Sequence, residues 1–151
     1  MEIEIKKYTK NMIESVVEFE LNLRKEEDFW GWEIDGEYLK NVLNSFEGGR
    51  ENNSLSFIAC DGQKAVGRID CAFIYSHFDG SVKAYLDWIC VLKSYRHKGV
   101  AQKLMDKLRI ELKALGIDTL IGLIAGNKDA QSFYRSLKGA KIKDEGIWID
   151  V

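Results

Sequence analysis

The hydrophobic pattern changes from a strand-like to a helical period between residues 91 and 100, and this change limits the folds that the chain can adopt. Three strand-like runs precede the change, with short turns between them: 54–60, 64–75 and 82–91. After it, Val100, Leu104, Leu108 and Leu112 recur every four residues, which predicts an amphipathic helix over 100–115. Consecutive strands joined by tight turns form an antiparallel meander. We therefore expect a sheet with a helix packed against it.

Weaker patterns on both sides complete the predicted order of elements. Before the meander they indicate a strand at 2–6, a helix whose apolar stripe also includes Glu20, a loop or short helix at 26–37, and a helix at 38–46. After the long helix they indicate three or four further segments: a strand at 118–125, a helix at 129–137, and one or two strands at Ile142 and 147–151. The order β-α-α-β-β-β-α-β-α-β(-β) predicts an α/β (α+β) fold, with a mixed sheet and helices on its faces.

Composition excludes several classes of protein. A chain of 151 residues without proline or a Gly/Ser-rich linker suits one domain over 1–151. The formal net charge of −2 gives no case for a nucleic-acid partner, and no apolar run approaches the ~18 residues that a membrane span needs. The three cysteines show no CxxC spacing, and the first residues lack an apolar signal core. We expect a cytoplasmic protein with no membrane partner.

The segment between the third strand and the long helix carries the chemical signal. A strand ends at Val91, a basic loop follows, and a helix begins near Gly99. The first turn of a helix has unpaired N–H groups and a partial positive charge, so it suits a phosphate or pyrophosphate. Gly99 allows close approach, and Arg96, His97 and Lys98 add donors. Neither a Walker loop nor a Rossmann fingerprint is present.

The string Arg-His-Lys-Gly-Val-Ala at 96–101 resembles the R/Q-x-x-G-x-G/A motif of the GCN5-related N-acetyltransferase (GNAT) family. Residues 86–91 are similar to the fourth strand of that family, and Asn127 with Phe133-Tyr134 continues the pattern. The chain departs from it at Lys93, where the family often has proline, at Ala101 and at 137–140. The resemblance implies a mixed, mostly antiparallel sheet of about 6–7 strands flanked by about four helices. It also implies acetyl transfer from acetyl-coenzyme A (acetyl-CoA) to an amine.

Under this resemblance, one set of residues binds acetyl-CoA: Ile89, Cys90, Val91, Arg96, His97, Lys98, Gly99, Val100, Ala101, Asn127 and Tyr134. The N–H groups of 96–101 would hold the pyrophosphate. Main-chain groups of Ile89 and Val91 would pair with the pantetheine arm, and the Val91 N–H would face the thioester oxygen. Asn127 would bond to the same arm.

Two residues are the candidates for proton transfer. Tyr134 is the candidate general acid, because a phenol with a pKa near ~10 can protonate a leaving thiolate. The alternative is a tyrosine that only packs its ring. Asp87 is the candidate acceptor of the proton that the amine must lose. The alternatives are that Asp87 is a salt-bridged or edge carboxylate, and that the proton is lost through ordered water. His77 and His97 have no ligand partners at suitable spacing, so we expect no metal. Cys90 is interpreted as an inert thiol in an apolar run.

The window 26–37 holds six acidic residues, no basic residue, and three aromatic residues. Carboxylates beside aromatic faces suit a cationic amine. The predicted acceptor-binding residues are Glu26, Glu27, Asp28, Trp30, Trp32, Tyr85 and Asp87. The alternative is a solvated acidic loop whose tryptophans pack on the core or on a second subunit.

The combined prediction is an N-acetyltransferase that acetylates a primary amine of a small cationic molecule by direct attack. Two alternatives remain open: a non-catalytic acyl-CoA-binding module that senses its ligand or docks a partner, and a protein acetyltransferase acting on an N-terminus or a lysine. The resemblance is also compatible with a homodimer.

Overall fold

The computed structural model describes residues 1–27 and 32–151, which divide into two compact units, Met1–Ile121 and Gly122–Val151. The strands are β1 Ile3–Lys7, β2 Ser54–Asp61, β3 Lys64–Tyr75, β4 Val82–Val91 and β5 Leu120–Gly122. The α-helices are α1 Ile13–Glu26, α2 Gly36–Ser45, α3 Val100–Ala114 and α4 Lys128–Ser136. Short 3₁₀ helices cover Lys10–Met12, Arg50–Asn53 and Lys93–Tyr95.

The sheet has the order β1-β2-β3-β4-β5, and its first four strands pair antiparallel. The predicted meander is therefore confirmed, and β3 and β4 have the predicted bounds. Strand β5 has 3 residues and β4 has 10, so most of the outer edge of β4 has no strand partner within residues 1–27 and 32–151. A peptide-like ligand could pair with such an edge.

Alternation along β3 separates the two faces of the sheet. Ile69 is fully buried on the face covered by α3, whereas Arg68 and Asp70 lie on the face covered by α1. The core between α3 and the sheet is apolar, as its buried side chains show: Phe57, Ile69, Leu104 and Leu108. The four-residue spacing of α3 places one stripe of the helix against this core.

The C-terminal part of the chain differs from the prediction. We expected about 6–7 strands, and the described residues form a sheet of 5 strands. The run at 118–125 contributes only Leu120–Gly122, and neither Ile142 nor 147–151 forms a strand. The side chains of Ile147, Trp148 and Ile149 are exposed. Alternating apolar residues favour an extended backbone, but they do not supply a neighbouring strand, and strand pairing is what defines a sheet.

None of the helices in the described ranges is long and apolar enough to cross a membrane.

Gly67 allows α3 to lie close to β3. A Cβ at this position would lie 3.2 Å from Val91 Cγ2 and 3.3 Å from Leu104 Cδ1. We therefore expect Gly67→Ala to lower the free energy of unfolding by about 1–3 kcal/mol, because overpacking displaces well-packed neighbours. Thermal denaturation measures the effect. Gly36→Ala is the control: its Cβ meets no atom within 4 Å at the first residue of α2, so stability should rise by about 0.4–1 kcal/mol. If both variants changed the free energy of unfolding by the same amount, the close approach of α3 to β3 would be contradicted.

Candidate active site

The N-terminus of α3 is open to a ligand. Gly99 precedes the helix with φ 78°, and a Cβ at Gly99 would meet no atom within 4 Å. Within the described part of the chain, no side chain caps the first turn, so the N–H groups of Val100, Ala101 and Gln102 have neither a helical nor a capping partner. His97 also has a positive φ, 58°, which is uncommon for a residue with a side chain. Consecutive amides in such a turn form an anion-binding concavity.

Arg96 differs from the expectation for this turn. Its N–H donates a hydrogen bond to the Lys93 carbonyl at 3.2 Å, so this amide already has a partner within the loop. Its Nε donates to the Val91 carbonyl at 3.0 Å, and its guanidinium pairs with Glu27. Arg96 therefore holds the loop together, and its own amide is not available to an anion. Gln102, which the sequence analysis did not select, contributes the third helical amide.

Two carboxylates at the end of α1 contact residues 92–99, which we term the entry loop. Glu26 Oε2 accepts a hydrogen bond from the Lys93 N–H at 2.5 Å, and Glu26 Oε1 accepts one from the Ser94 hydroxyl at 3.3 Å. Glu27 forms the ion pair with Arg96. The sequence analysis assigned Glu26 and Glu27 to the acceptor, whereas the structure shows both carboxylates bound to the entry loop.

The β2–β3 turn contacts the entry loop from another element. The Tyr95 hydroxyl donates to Asp61 Oδ2 at 2.9 Å, and this bond raises the pKa of Tyr95. The ammonium groups of Lys64 and Lys98 each lie 5.6 Å from the centroid of the Tyr95 ring. Lys98 also donates to the Ser94 carbonyl at 2.8 Å. The entry loop is thus held by α1 and by the β2–β3 turn.

A β-bulge places Asp87 outside the regular pairing of β4. Asp70 pairs with Trp88 and Cys71 pairs with Leu86, so Asp87 is the additional residue. Its side chain is exposed. Cross-strand partners share a face, so Tyr85 and Trp88 lie on the face that carries Asp70. The bulge keeps Tyr85 on this face although strict alternation is lost between it and Trp88.

Trp32 and Trp88 form an aromatic corner on the α1 side of the sheet. Their ring centroids are 5.2 Å apart in an edge-to-face arrangement. The Arg24 guanidinium lies 5.2 Å from the Trp32 ring centroid and donates to the Trp32 carbonyl at 3.1 Å. Trp32 therefore packs on the core and is still 40% exposed. Trp88 was not among the predicted site residues. The sequence does not show that it lies opposite Asp70, because this register depends on the bulge.

A buried charge network connects α1 to β3 beneath this corner. Glu20 is 1% exposed and pairs with Arg24 at 2.7 Å and Arg68 at 3.0 Å. Arg68 binds Asp70 through two hydrogen bonds, of 2.6 and 2.8 Å. Burial disfavours the charged form of Arg68, but Asp70 and Glu20 outweigh it and raise its pKa. Burial also raises the pKa of Tyr8, whose ring lies 5.5 Å from the Arg68 guanidinium.

Cys90 is a poor nucleophile at neutral pH. Burial raises the pKa of its thiol to about 11, despite the nearby Arg96 guanidinium. The thiolate is the reactive form, so this shift leaves it scarce near pH 7.

Asn127 and Tyr134 belong to the second unit, where both lie on α4. Asn127 is the N-cap, and its side-chain oxygen accepts a hydrogen bond from the Ala130 N–H at 2.8 Å. Tyr134 follows seven positions later, about two helical turns along the same side. Its half-buried ring packs edge-on against Phe133, with centroids 5.4 Å apart. The predicted short helix is thus present within the unit, and it carries Tyr134.

The first unit brings several of the predicted residues near one another along β4 and the entry loop. Ile89, Cys90 and Val91 end β4, and the open turn at 97–101 follows. Tyr85, Asp87 and Trp32 lie at the bulge and the aromatic corner. Asp28 and Trp30, which were also predicted to bind the acceptor, fall outside the described residues.

Comparison with known proteins identifies the family. Residues 8–139 match the model of the acetyltransferase (GNAT) family. No curated protein sequence matches the chain significantly. Among solved structures, a soil-metagenome aminoglycoside acetyltransferase in complex with sisomicin has a TM-score of 0.83 at 15% identity, covering 99% of this chain and 96% of that one. A possible acetyltransferase from Clostridium difficile 630 has a TM-score of 0.76 at 22% identity, covering 99% and 97%.

The enzyme AAC(6')-Iy, in complex with the bisubstrate analogue CoA-S-monomethyl-acetylneamine, has a TM-score of 0.79 at 20% identity, covering 100% of this chain and 99% of that one. At these identities the structural likeness establishes the fold. The family match covers most of the chain, so it confirms the resemblance carried by residues 96–101. The chain belongs to the acetyltransferase (GNAT) family, whose acyl donor is acetyl-CoA.

Proposed function

We propose that this protein transfers the acetyl group of acetyl-CoA to a primary amine of a small cationic molecule. The observation that carries the choice of acceptor is the exposed Asp87 carboxylate at the bulge, on a strand that also presents Tyr85 and Trp88. Such a group pairs with an ammonium ion, and the aromatic rings supply cation–π contacts. Solved relatives are described as aminoglycoside acetyltransferases, one in complex with sisomicin, which supports the same chemical class.

The donor side of the proposal rests on the N-terminus of α3. The open space at Gly99 and the amides of Val100, Ala101 and Gln102 fit a pyrophosphate, and Lys98 places a positive charge in the same turn. The unpaired length of the β4 edge fits an extended arm, for which Ile89, Cys90 and Val91 would provide main-chain partners. Acetyl-CoA supplies an activated acetyl thioester there. The family match contains residues of both units, which supports one domain over 1–151.

Two side chains handle protons in this proposal. A lysine-like amine with a pKa near ~10.4 is mostly protonated at neutral pH, so it must lose a proton before it attacks. The Asp87 carboxylate accepts this proton, either directly or through water. The Tyr134 hydroxyl would supply the proton that the leaving coenzyme A thiolate takes up. Asn127 caps the helix that carries Tyr134. Direct transfer needs no covalent intermediate on the protein, in keeping with the raised pKa of Cys90.

Titration calorimetry with acetyl-CoA, followed by a thiol-release assay over a panel of amines, tests the proposed function. The panel contains a polyamine, sisomicin, a basic amino-acid amide and a lysine-containing peptide. We expect tight binding and thiol release that depends on a small cationic amine. Burial raises the pKa values of Cys71 and Cys90 to about 11, which keeps the background from protein thiols low. Binding without turnover on any amine would indicate a sensor, and turnover on the peptide alone would indicate a protein acetyltransferase.

Asp87→Asn tests the acceptor side. We expect the KM of a dicationic amine to rise about tenfold, because the substitution removes one charge-assisted contact. A monoamine with a neutral tail should respond less, and acetyl-CoA affinity should not change. Steady-state kinetics on the two amines measures the difference. Asp118→Asn, at another exposed aspartate, is the control and should leave both KM values unchanged. Equal KM values for Asp87→Asn and the wild type would remove Asp87 from amine recognition.

A further inference from the structure

The last turn of α1, residues 24–27, contacts two parts of the site. Arg24 donates to the Trp32 carbonyl at 3.4 Å from Nε and 3.1 Å from a terminal nitrogen, and its guanidinium covers the Trp32 ring. Glu26 and Glu27 bind the entry loop through its backbone, a hydroxyl and a guanidinium. One helical turn therefore touches both the aromatic corner on the proposed acceptor side and the loop that leads into the proposed donor site.

We propose that this turn positions the entry loop and Trp32 as one unit, with Glu26 and Glu27 as positioning residues for acetyl-CoA binding. Neither carboxylate needs to touch a substrate for this role. Glu26 fixes the backbone at Lys93, and Glu27 fixes Arg96, which in turn holds the Val91 carbonyl at the end of β4. The loop that leads to the first turn of α3 is thus held at both Lys93 and Arg96. The inference rests on the proposed function only for the identity of the ligand.

The chemistry of the Glu26 and Glu27 contacts explains why they can fix the conformation of the entry loop. A carboxylate that accepts a backbone N–H forms a charge-assisted hydrogen bond, which is stronger than a neutral one. Both glutamates are partly buried, so water screens them less than it screens fully exposed ion pairs. Anion binding through several backbone amides needs all of them in place at once, and small displacements of positioned groups reduce their effect steeply. Loss of one carboxylate should therefore weaken a ligand that it does not contact.

Amide hydrogen exchange of the ligand-free protein tests the contact itself. In Glu26→Leu the Lys93 amide loses its acceptor, and we expect it to exchange at least about tenfold faster than in the wild type. Glu26→Gln keeps an oxygen for the Lys93 N–H and an amide for the Ser94 hydroxyl, so it should restore most of the protection. Glu18→Gln, at an exposed position on the same helix, is the control and should not change exchange in the loop. Unchanged exchange in Glu26→Leu would overturn the proposal.

Calorimetric titration with acetyl-CoA tests the consequence. We expect the Kd to rise about tenfold in Glu26→Leu and about threefold in Glu27→Gln, and to stay within about twofold of the wild type in Glu26→Gln. The melting temperature of each variant is measured alongside. A purely structural role would lower the melting temperature and leave the Kd of the folded protein unchanged, which would overturn the proposal. Failure of the wild type itself to bind acetyl-CoA would instead refute the proposed function.

A double-mutant cycle tests the link to Trp32. Trp32→Ala should weaken acetyl-CoA binding about threefold in the wild type, because Arg24 loses the ring that its guanidinium covers and the turn is less well fixed. In the Glu26→Leu/Glu27→Gln background the same substitution should have no effect on the Kd, since the turn no longer holds the entry loop. If Trp32→Ala raised the Kd by the same factor in both backgrounds, the joint positioning of Trp32 and the entry loop would be overturned.

Discussion

Gly99→Glu should abolish the binding of acetyl-CoA, raising its Kd at least about 100-fold, or about 2.7 kcal/mol. Gly99 leads into the first turn of α3, and the space beside its Cα is empty for at least 4 Å. A glutamate there would place a carboxylate beside the amides that we assign to the pyrophosphate, so it would compete for them and repel the ligand. Calorimetric titration of the folded variant measures the loss.

Backbone strain is the effect that must be separated from this one. Gly99 has φ 78°, and a residue with a side chain costs about 1–2 kcal/mol in that conformation. Gly80→Glu is the matched control, because Gly80 also has a positive φ, 69°, and open space, but lies in the β3–β4 turn. Both variants should lose similar stability, and only Gly99→Glu should lose acetyl-CoA. Wild-type affinity in Gly99→Glu would remove this turn from the donor site.

Tyr134→Phe should lower kcat by about 100- to 10 000-fold, the range typical of a lost general acid. The ring that packs on Phe133 is kept, so the folded structure and the Kd of acetyl-CoA should change little. Turnover is measured by thiol release with the best amine of the panel, and affinity by calorimetry.

Tyr75→Phe is the control for this substitution. Tyr75 is 64% exposed at the end of β3, and its variant should retain full turnover. A wild-type kcat in Tyr134→Phe would exclude the hydroxyl from proton transfer, and a parallel loss of acetyl-CoA affinity would assign it to binding instead.

The elements that sequence reasoning predicted well have a strong local pattern. The bounds of β3 and β4 follow from alternation between two turns, and α3 follows from a four-residue repeat whose first residue, Val100, is 2% exposed. The open turn at Gly99 could be inferred as well, because the end of a strand, a glycine and the start of a helix are all adjacent in the chain. Local patterns carry this information because each element has one buried face.

The features that sequence reasoning did not predict depend on residues far apart in the chain. Glu20 and Arg68 are 48 positions apart, and Glu26 and Lys93 are 67 apart. Only one of these contacts had a local signal: a carboxylate on the apolar stripe of α1 indicates a buried partner. The charges of Glu26 and Glu27 suggested a cationic substrate, although their partner was a loop of the same chain. The bulge at Asp87 depends on the register of β3, which periodicity does not report.

The charge network of Glu20, Arg24, Arg68 and Asp70 has a consequence for how acceptor specificity can vary. It fixes the rotation and the height of α1 on the sheet, because a shift of one residue would turn Glu20 about 100° away from Arg68. The four charged side chains of this network lie on α1 and β3. Glu33 and Glu37 are exposed and follow Trp32 in the chain, so substitutions there should leave the network and the core unchanged. Libraries that randomise these positions can therefore be screened for altered amine preference without loss of the fold.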